Sequence, residues 1–312
     1  MFRVWYHPVY TDGIDPNARF PRTRYRDTHD ELRARGAPVS VEEAPQTDTA
    51  DLLLCHGRSY VDAFLTRALD PRIERRIGLR PWTPYIVERT RRIFGASMAA
   101  TRWALAHDTW AGNLAGGTHH AFRDEGSGYC VFNDVAAAAV LAVRRGLRVL
   151  VIDLDVHQGD GTAALLADEP AAFTFSVHCA KNFPFRKQQS DLDVALPVGT
   201  GDEAYLASLE AHLPRLVATH RPDFVVYQAG VDPLAEDRLG KLELTREGLR
   251  RRNALVYACV GRRPLLVTMG GGYAEPIARA AEAHADVFEQ AARGLATGRS
   301  APARTLDGSV NA

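Results

Sequence analysis

The spacing of apolar and polar residues along this chain predicts strands and helices that follow one another in turn. The first hundred residues predict strands at 2–6 and 39–41, helices at 28–35, 59–69 and 83–107, and loops at 11–27 and 72–82. The later residues predict strands near 110–115 and at 148–153, 172–178, 223–229 and 264–269, and helices at 134–145, 160–167, 202–219, 245–260 and 276–293. Repeated strand–helix units imply a mostly parallel sheet with helices on both faces. We therefore expect one α/β domain over residues 1–293, followed by a disordered tail over 294–312.

Polar side chains follow the most apolar of these strands. The segment VLVIDLDVHQGDGT, residues 149–162, begins as a buried strand and continues with Asp153, Asp155 and His157 at alternate positions. Alternate residues of a strand share one face. Buried ionisable groups are costly unless something pairs them, and a divalent metal would pair these. In open α/β sheets, sites form beyond the carboxyl ends of the strands, which is where this cluster falls.

Three more groups follow predicted strands: the pair His119–His120, Asp232 in QAGVDPLAEDRLG, and the run 270–273, GGGY. Asp155, His157 and Asp232 would give a catalytic metal three protein ligands, typical of zinc, although an oxygen-rich set also suits iron(II). The alternative is that Asp155 and His157 cap the next helix and that Asp232 is a turn residue.

The histidine pair and the tyrosine supply the remaining chemistry for hydrolysis. One histidine could face a reacting water while the other supports the leaving group, with Asp153 and Asp160 as orienting partners. The three glycines favour close backbone approach, which would bring Tyr273 to a pocket as a donor to a developing oxyanion. The glycine run lacks both the spacing and the lysine of a phosphate-binding loop.

Composition narrows the class of protein further. The 312 residues include 38 Lys and Arg against 38 Asp and Glu, a balance that gives no reason to expect nucleic acid or an anionic membrane as partner. Four cysteines without CxxC spacing, no apolar run of membrane-spanning length and no signal-peptide core make a reducing cytoplasm the expected compartment.

Six segments together resemble one known family: GGTHHAF, GSGYCVFND, VLVIDLDVHQGDGT, FSVHCAKNFPF, AGVDPLAEDRLG and MGGGY. In type and order they are similar to the zinc-dependent histone deacetylases, which have the arginase-type α/β fold. GGTHHAF with DVHQGDGT resembles the class IV branch and its bacterial relatives more than classes I and II. The resemblance covers most of the chain, from HPVY near the start to the helix after GGGY.

The resemblance also implies a role for each site residue. Zinc would be bound by Asp155, His157 and Asp232. His120, partnered by Asp160, would be the main general base and acid, and His119, partnered by Asp153, would bind the metal-bound water. Tyr273 would polarise the amide carbonyl. Tyr129, where the family usually has phenylalanine, and Phe183 or Phe185 would wall an acyl-lysine channel. A structural potassium ion is implied as well, with its candidate ligands Asp153, Ser176 and the carbonyls of Asp155, His157 and Val177.

The expected function is therefore a zinc-dependent deacylase acting on Nε-acyl-lysine in proteins. Deacetylation of acetylpolyamines or another small N-acyl amine is the alternative substrate class. An arginase-like binuclear manganese hydrolase would need further Asp and His ligands in place of the histidine pair and tyrosine. A degenerate, non-enzymatic binding module would have lost a ligand or the tyrosine, whereas each expected position is occupied. The sequence does not indicate the oligomeric state.

Overall fold

The computed structural model describes residues 1–296. Of the predicted disordered tail over 294–312, residues 294–296 form the end of the last helix, contrary to the prediction, and the rest lies outside the described residues. The described residues form one eight-stranded sheet, whose strands are β1 (Phe2–Tyr6), β2 (Val39–Glu43), β3 (Trp110–Asn113), β4 (Val149–Asp153), β5 (Ala172–Cys179), β6 (Leu192–Leu196), β7 (Phe224–Gln228) and β8 (Leu265–Thr268). Their eleven helices are α1 (Val9–Asp12), α2 (Arg24–Ala34), α3 (Thr49–Leu52), α4 (Arg58–Leu65), α5 (Pro71–Ile77), α6 (Ile86–His107), α7 (Asp134–Val143), α8 (Asp160–Leu166), α9 (Asp202–His220), α10 (Arg246–Val260) and α11 (Ile277–Ala296).

All neighbouring strands pair in parallel, in the order β2-β1-β3-β8-β7-β4-β5-β6. The inner strands β3, β8, β7 and β4 are fully buried, which explains why their sequences do not alternate and stay apolar up to a polar last residue. The edge strands β2 and β6 are partly exposed. The expected α/β fold with a mostly parallel central sheet is thus confirmed.

Helices cover both faces of this sheet. On β3, Asn113 donates a hydrogen bond to the Ile93 carbonyl of α6 at 2.8 Å. Its neighbour Gly112 faces the opposite way, where a Cβ atom would collide with Phe288 of α11. Because adjacent strand residues point to opposite faces, α6 and α11 lie on opposite sides of the sheet.

Several predicted boundaries were wrong. The expected loop at 11–27 contains the end of α1 and the first turn of α2, and the loop at 72–82 contains most of α5. Asp70 caps α5 by accepting a hydrogen bond from the Arg72 amide at 2.7 Å. Strand β6 was not predicted, and α6 begins at Ile86, after the expected Thr83–Pro84 start. The predicted Asn133 cap of α7 is confirmed, since its Oδ1 accepts from the Ala136 amide at 2.8 Å.

Candidate active site

The two carboxylates and the imidazole expected to bind metal converge just beyond β4 and β7. Ligand-type atoms of Asp155, His157 and Asp232 all lie within 4.8 Å of one another, and the three residues are buried. His157 Nδ1 lies 3.0 Å from Asp155 Oδ1 and 3.1 Å from Asp232 Oδ2. Burial and the charge of Asp155 raise the pKa of the Asp232 carboxyl above its ordinary value. A bound divalent cation would stabilise both carboxylates in their charged form, so the donor set fits a metal.

The capping alternative for Asp155 and His157 is wrong, whereas Asp232 does lie in a turn. Helix α8 begins at Asp160 after Gly159, and no side chain caps its N-terminus. Asp232 Oδ1 accepts from the Val156 amide at 2.9 Å, which joins the segment after β7 to the segment after β4. The strand itself ends at Asp153, so the strand alternation that predicted a shared face does not extend to positions 155 and 157. A bend after β4 brings those two residues to Asp232.

Each of the two adjacent histidines hydrogen-bonds a different buried aspartate. His119 Nδ1 lies 2.7 Å from Asp153 Oδ2, and His120 Nδ1 lies 2.7 Å from Asp160 Oδ1. Because Asp160 accepts the proton held on His120 Nδ1, the neutral His120 imidazole keeps Nε2 as an unprotonated acceptor. These are the pairings that the family resemblance implied, although which residues act in catalysis stays a prediction.

Their surroundings give the two histidines opposite proton affinities. Burial disfavours the charged form of His119, but Asp153 and Asp155 outweigh it and raise its pKa to about 9. Burial and the neighbouring charge of His119 lower the pKa of His120 to about 4. These shifts favour a neutral His120, which can accept a proton, beside a protonated His119. Titratable neighbours whose pKa values are pushed apart are typical of acid–base sites.

Tyr273 stands beside the metal-binding cluster because the glycine run lets the backbone pass close to it. The Gly271 amide donates to Asp155 Oδ2 at 2.7 Å, and a side chain at Gly271 would collide with the Asp232 carboxylate. Burial raises the pKa of the Tyr273 hydroxyl well above its ordinary value, so it stays protonated at neutral pH. Within residues 1–296 this hydroxyl has no hydrogen-bond partner, which leaves its proton available to a bound molecule.

An open channel of about 820 Å³ leads from the surface to these groups, with His120, His157 and Tyr273 in its lining. The Phe183 ring lies edge-on to His120 with ring centroids 4.9 Å apart, and the Tyr129 ring lies 5.8 Å from that of Tyr273. Both therefore sit where a channel wall was expected. Phe185 is 91% exposed, so it lies at the mouth of the channel.

The predicted potassium ligands adjoin the same strands. Asp153 of β4 and Ser176 of β5 are register partners, and Val177 is the next residue. The Ser176 hydroxyl lies 3.0 Å from His178 Nδ1. Potassium binding by these residues and by the carbonyls of Asp155 and His157 stays a prediction.

Sequence reasoning missed four residues that hold the site in place. Gln228 Nε2 donates to Asp155 Oδ2 at 2.9 Å, and Asp134 Oδ1 accepts from the Thr118 amide at 2.8 Å, ahead of the histidine pair. Asp237 Oδ2 accepts from the Tyr273 amide at 2.5 Å, and Arg24 donates to the Gly272 carbonyl at 3.0 Å. Gln228 could have been found, because it is a polar residue at the end of a buried strand. The contacts of Asp134, Asp237 and Arg24 join distant segments and leave no local pattern.

Comparison with known proteins agrees with this geometry. The model of the histone deacetylase domain matches residues 18–288. The chain belongs to the histone deacetylase family. It is 46% identical over 282 residues to an uncharacterized protein of Picosynechococcus sp., covering 88% of this chain and 93% of that protein.

Two proteins named as histone deacetylases share less sequence identity with this chain. Histone deacetylase 3 of Oryza sativa is 32% identical over 277 residues, covering 80% of this chain and 53% of that protein. Histone deacetylase 2 of Arabidopsis thaliana is 28% identical over 253 residues, covering 77% and 65%. The chain thus spans between half and two thirds of the length of these two relatives. Family membership supports a hydrolytic deacetylase, in a family that is generally metal-dependent. Within residues 1–296, no helix combines the length and apolar character needed to cross a membrane.

Proposed function

We propose that this histone deacetylase family member hydrolyses the Nε-acyl amide of lysine side chains in proteins, with a divalent metal as cofactor. The observation that carries the proposal is convergence at the inner end of one channel. The cluster of potential metal ligands, the neutral imidazole of His120 and the protonated hydroxyl of Tyr273 lie together there. Amide hydrolysis needs an activated nucleophile, a proton for the leaving amine and stabilisation of the tetrahedral oxygen.

Asp155, His157 and Asp232 would hold the metal. Two carboxylates and one imidazole suit zinc with an open coordination position, and the same set suits iron(II). When bound, a divalent cation supplies Lewis acidity, which polarises a carbonyl and makes water acidic near neutral pH.

The protein's own groups would move the protons. His120, neutral at pH 7, accepts a proton at Nε2 from the attacking water while Asp160 holds its Nδ1 proton. The resulting imidazolium returns that proton to the amine as the amide bond breaks. His119, charged and bonded to Asp153, adds positive charge where negative charge develops. Tyr273 donates its hydroxyl proton in a hydrogen bond to the carbonyl oxygen as that oxygen becomes anionic.

The channel supports a long, narrow acyl-amine substrate. Aromatic rings of Phe183 and Tyr129 line it, which suits the apolar methylene stem of a lysine side chain. A small N-acyl amine, such as an acetylpolyamine, is the alternative substrate class.

Substrate profiling tests the proposal. Metal-loaded protein is offered an acetyl-lysine peptide, a long-chain acyl-lysine peptide and N-acetylputrescine, and the released amine is measured. We expect one of the two acyl-lysine peptides to show the highest kcat/KM of the three substrates, and the His120→Ala variant to turn it over roughly 10²–10⁴-fold more slowly. Turnover of N-acetylputrescine with no turnover of either peptide would contradict the protein substrate and favour the small-amine alternative.

A further inference from the structure

The mouth of the channel carries positive charge on one side. Two loops form this side, one over residues 181–188 and one over 239–241, and they are joined by a hydrogen bond from Asn182 Nδ2 to the Leu239 carbonyl at 3.0 Å. We call the four cations of these loops the cationic lip: Lys181, Arg186, Lys187 and Lys241. Arg186 and Lys241 line the channel itself and are exposed.

The lip is braced by main-chain contacts and not by carboxylates. Lys187 Nζ donates to the carbonyls of Asn182 and Pro184 at 2.7 and 2.6 Å, and Lys241 Nζ donates to the Lys181 carbonyl at 3.0 Å. Across residues 1–296, none of the four lip cations forms an ion pair, and the Arg186 guanidinium has no hydrogen-bond partner. Arg186 and Lys241, the two lip cations that line the channel, are therefore left without a carboxylate partner within the described residues.

Carboxylates elsewhere in the channel lining are already engaged. Glu125 forms an ion pair with Arg76 at 2.8 Å on the exposed rim. Asp160 is buried at the inner end and bonded to His120. In the lining contributed by the described residues, no other carboxylate is present, so the mouth offers a second cationic group of a substrate no unpaired carboxylate.

We propose that the channel takes acyl-lysine in an acidic sequence context, with carboxylates on residues flanking the acylated lysine pairing with Arg186 and Lys241. This inference rests on the proposed function and names its substrate class. Exposed hydrophobic groups at the same mouth, Phe185 at 91% and Leu239 at 41% exposed, offer an apolar surface for the peptide around that lysine. Acetylpolyamines carry additional positive charge, which the lip would repel.

Three acetyl-lysine peptides that differ only in their flanking residues test the inference. One has Glu, one has Gln and one has Lys on both sides of the acetyl-lysine. An exposed ion pair changes affinity about threefold. With two lip cations attracting Glu and repelling Lys, we expect kcat/KM about tenfold higher for the Glu peptide than for the Lys peptide at low ionic strength. The ratio should fall towards one in 0.5 M salt, to roughly the extent that screening removes exposed interactions.

Reversing the charge of one lip residue tests whether the cationic lip causes the preference for the Glu peptide. The Arg186→Glu variant loses no hydrogen bond of the described structure and should lower the Glu-to-Lys ratio at least threefold. Arg215→Glu makes the same charge change on the exposed surface of α9, away from the channel lining, and should leave the ratio as in the native protein. If Arg186→Glu does not fold, the salt dependence of the native ratio decides.

The outcomes separate this inference from the proposed function. Turnover of all three peptides at equal kcat/KM, a preference for the Lys peptide, or identical ratios in the Arg186→Glu and Arg215→Glu variants would overturn the acidic-context inference alone. No turnover of any peptide, with turnover of N-acetylputrescine, would overturn both.

Discussion

Replacing Tyr273 with phenylalanine removes one hydroxyl and keeps the ring. The ring packs near Tyr129 and Phe20, with centroids 5.8 and 6.2 Å away, and the Arg24 guanidinium lies 5.1 Å from its centre. None of these contacts requires the hydroxyl, which has no hydrogen-bond partner within residues 1–296. We therefore expect Tyr273→Phe to fold and bind metal like the native protein.

The expected loss lies in the chemical step. Removing one oxyanion donor typically lowers kcat about 10²–10³-fold, equivalent to about 2.7–4 kcal/mol of transition-state stabilisation. Substrate binding should change much less, because the hydrogen bond strengthens only as charge develops on the carbonyl oxygen. The raised pKa of Tyr273 keeps the hydroxyl protonated at neutral pH, so this loss should be constant across pH 6–8.

Single-turnover kinetics with an acetyl-lysine peptide separates binding from chemistry. Tyr129→Phe is the matched control: it removes the same atom from the same channel, and that hydroxyl also has no partner among the described residues. We expect Tyr129→Phe to change the rate of the chemical step less than about threefold, far below the range for an oxyanion donor. A higher substrate dissociation constant with an unchanged chemical step in Tyr273→Phe would show that Tyr273 shapes the pocket and does not stabilise the transition state.

Three further changes test other parts of the site and fold. His120→Ala should lower kcat roughly 10²–10⁴-fold while metal content by elemental analysis stays native, and turnover close to the native rate would refute its role in proton transfer. Asp237→Asn weakens the acceptor of the Tyr273 amide and should lower kcat roughly 10–100-fold with metal retained; a native kcat would remove it from positioning. The Asp286 side chain, 2% exposed, has a lowered pKa because the charges of Arg246 and Arg35 outweigh the effect of burial. The stability that these ion pairs give the fold is therefore present above the ordinary aspartate pKa and is lost as pH falls through the lower pKa of Asp286 in the folded protein. In urea unfolding at pH 7, Asp286→Ala should cost about 3 kcal/mol, and a loss under about 1 kcal/mol would contradict this account.

Local sequence rules located the centre of the candidate site. The buried apolar strand β4 ends in Asp153 and is followed by Asp155 and His157, which indicates ionisable groups at the carboxyl end of a strand. Parallel strands have their carboxyl ends on the same side of the sheet. The same rule applied to β7 points to Asp232, and an adjacent histidine pair after β3 needs two orienting acids. Asp153 and Asp160 were the acids available near those strand ends, and the family resemblance then assigned Asp153 to His119 and Asp160 to His120.

Local sequence rules could not predict the edge strand β6 or the contacts between distant segments. Strand β6 is a partly exposed edge whose LDVAL sequence carries no continuous apolar signal. Asp237 contacts the Tyr273 amide across 36 positions of sequence, and Arg24 reaches Gly272 across 248. Such contacts depend on how the loops pack over the carboxyl ends of the strands. The charge of the channel mouth likewise emerges only when residues 181–188 meet 239–241.

Metal titration tests the central claim most directly. Protein stripped with a chelator is reloaded stepwise with Zn²⁺, or with Fe²⁺ without oxygen, while amine release from an acetyl-lysine peptide is followed in native protein and in Asp232→Ala. The account predicts no activity without metal, full activity at one equivalent of the effective metal in native protein, and neither metal retention nor activity in Asp232→Ala. Undiminished activity in the stripped protein, or one tightly held equivalent with full turnover in Asp232→Ala, would contradict a catalytic metal bound by Asp155, His157 and Asp232.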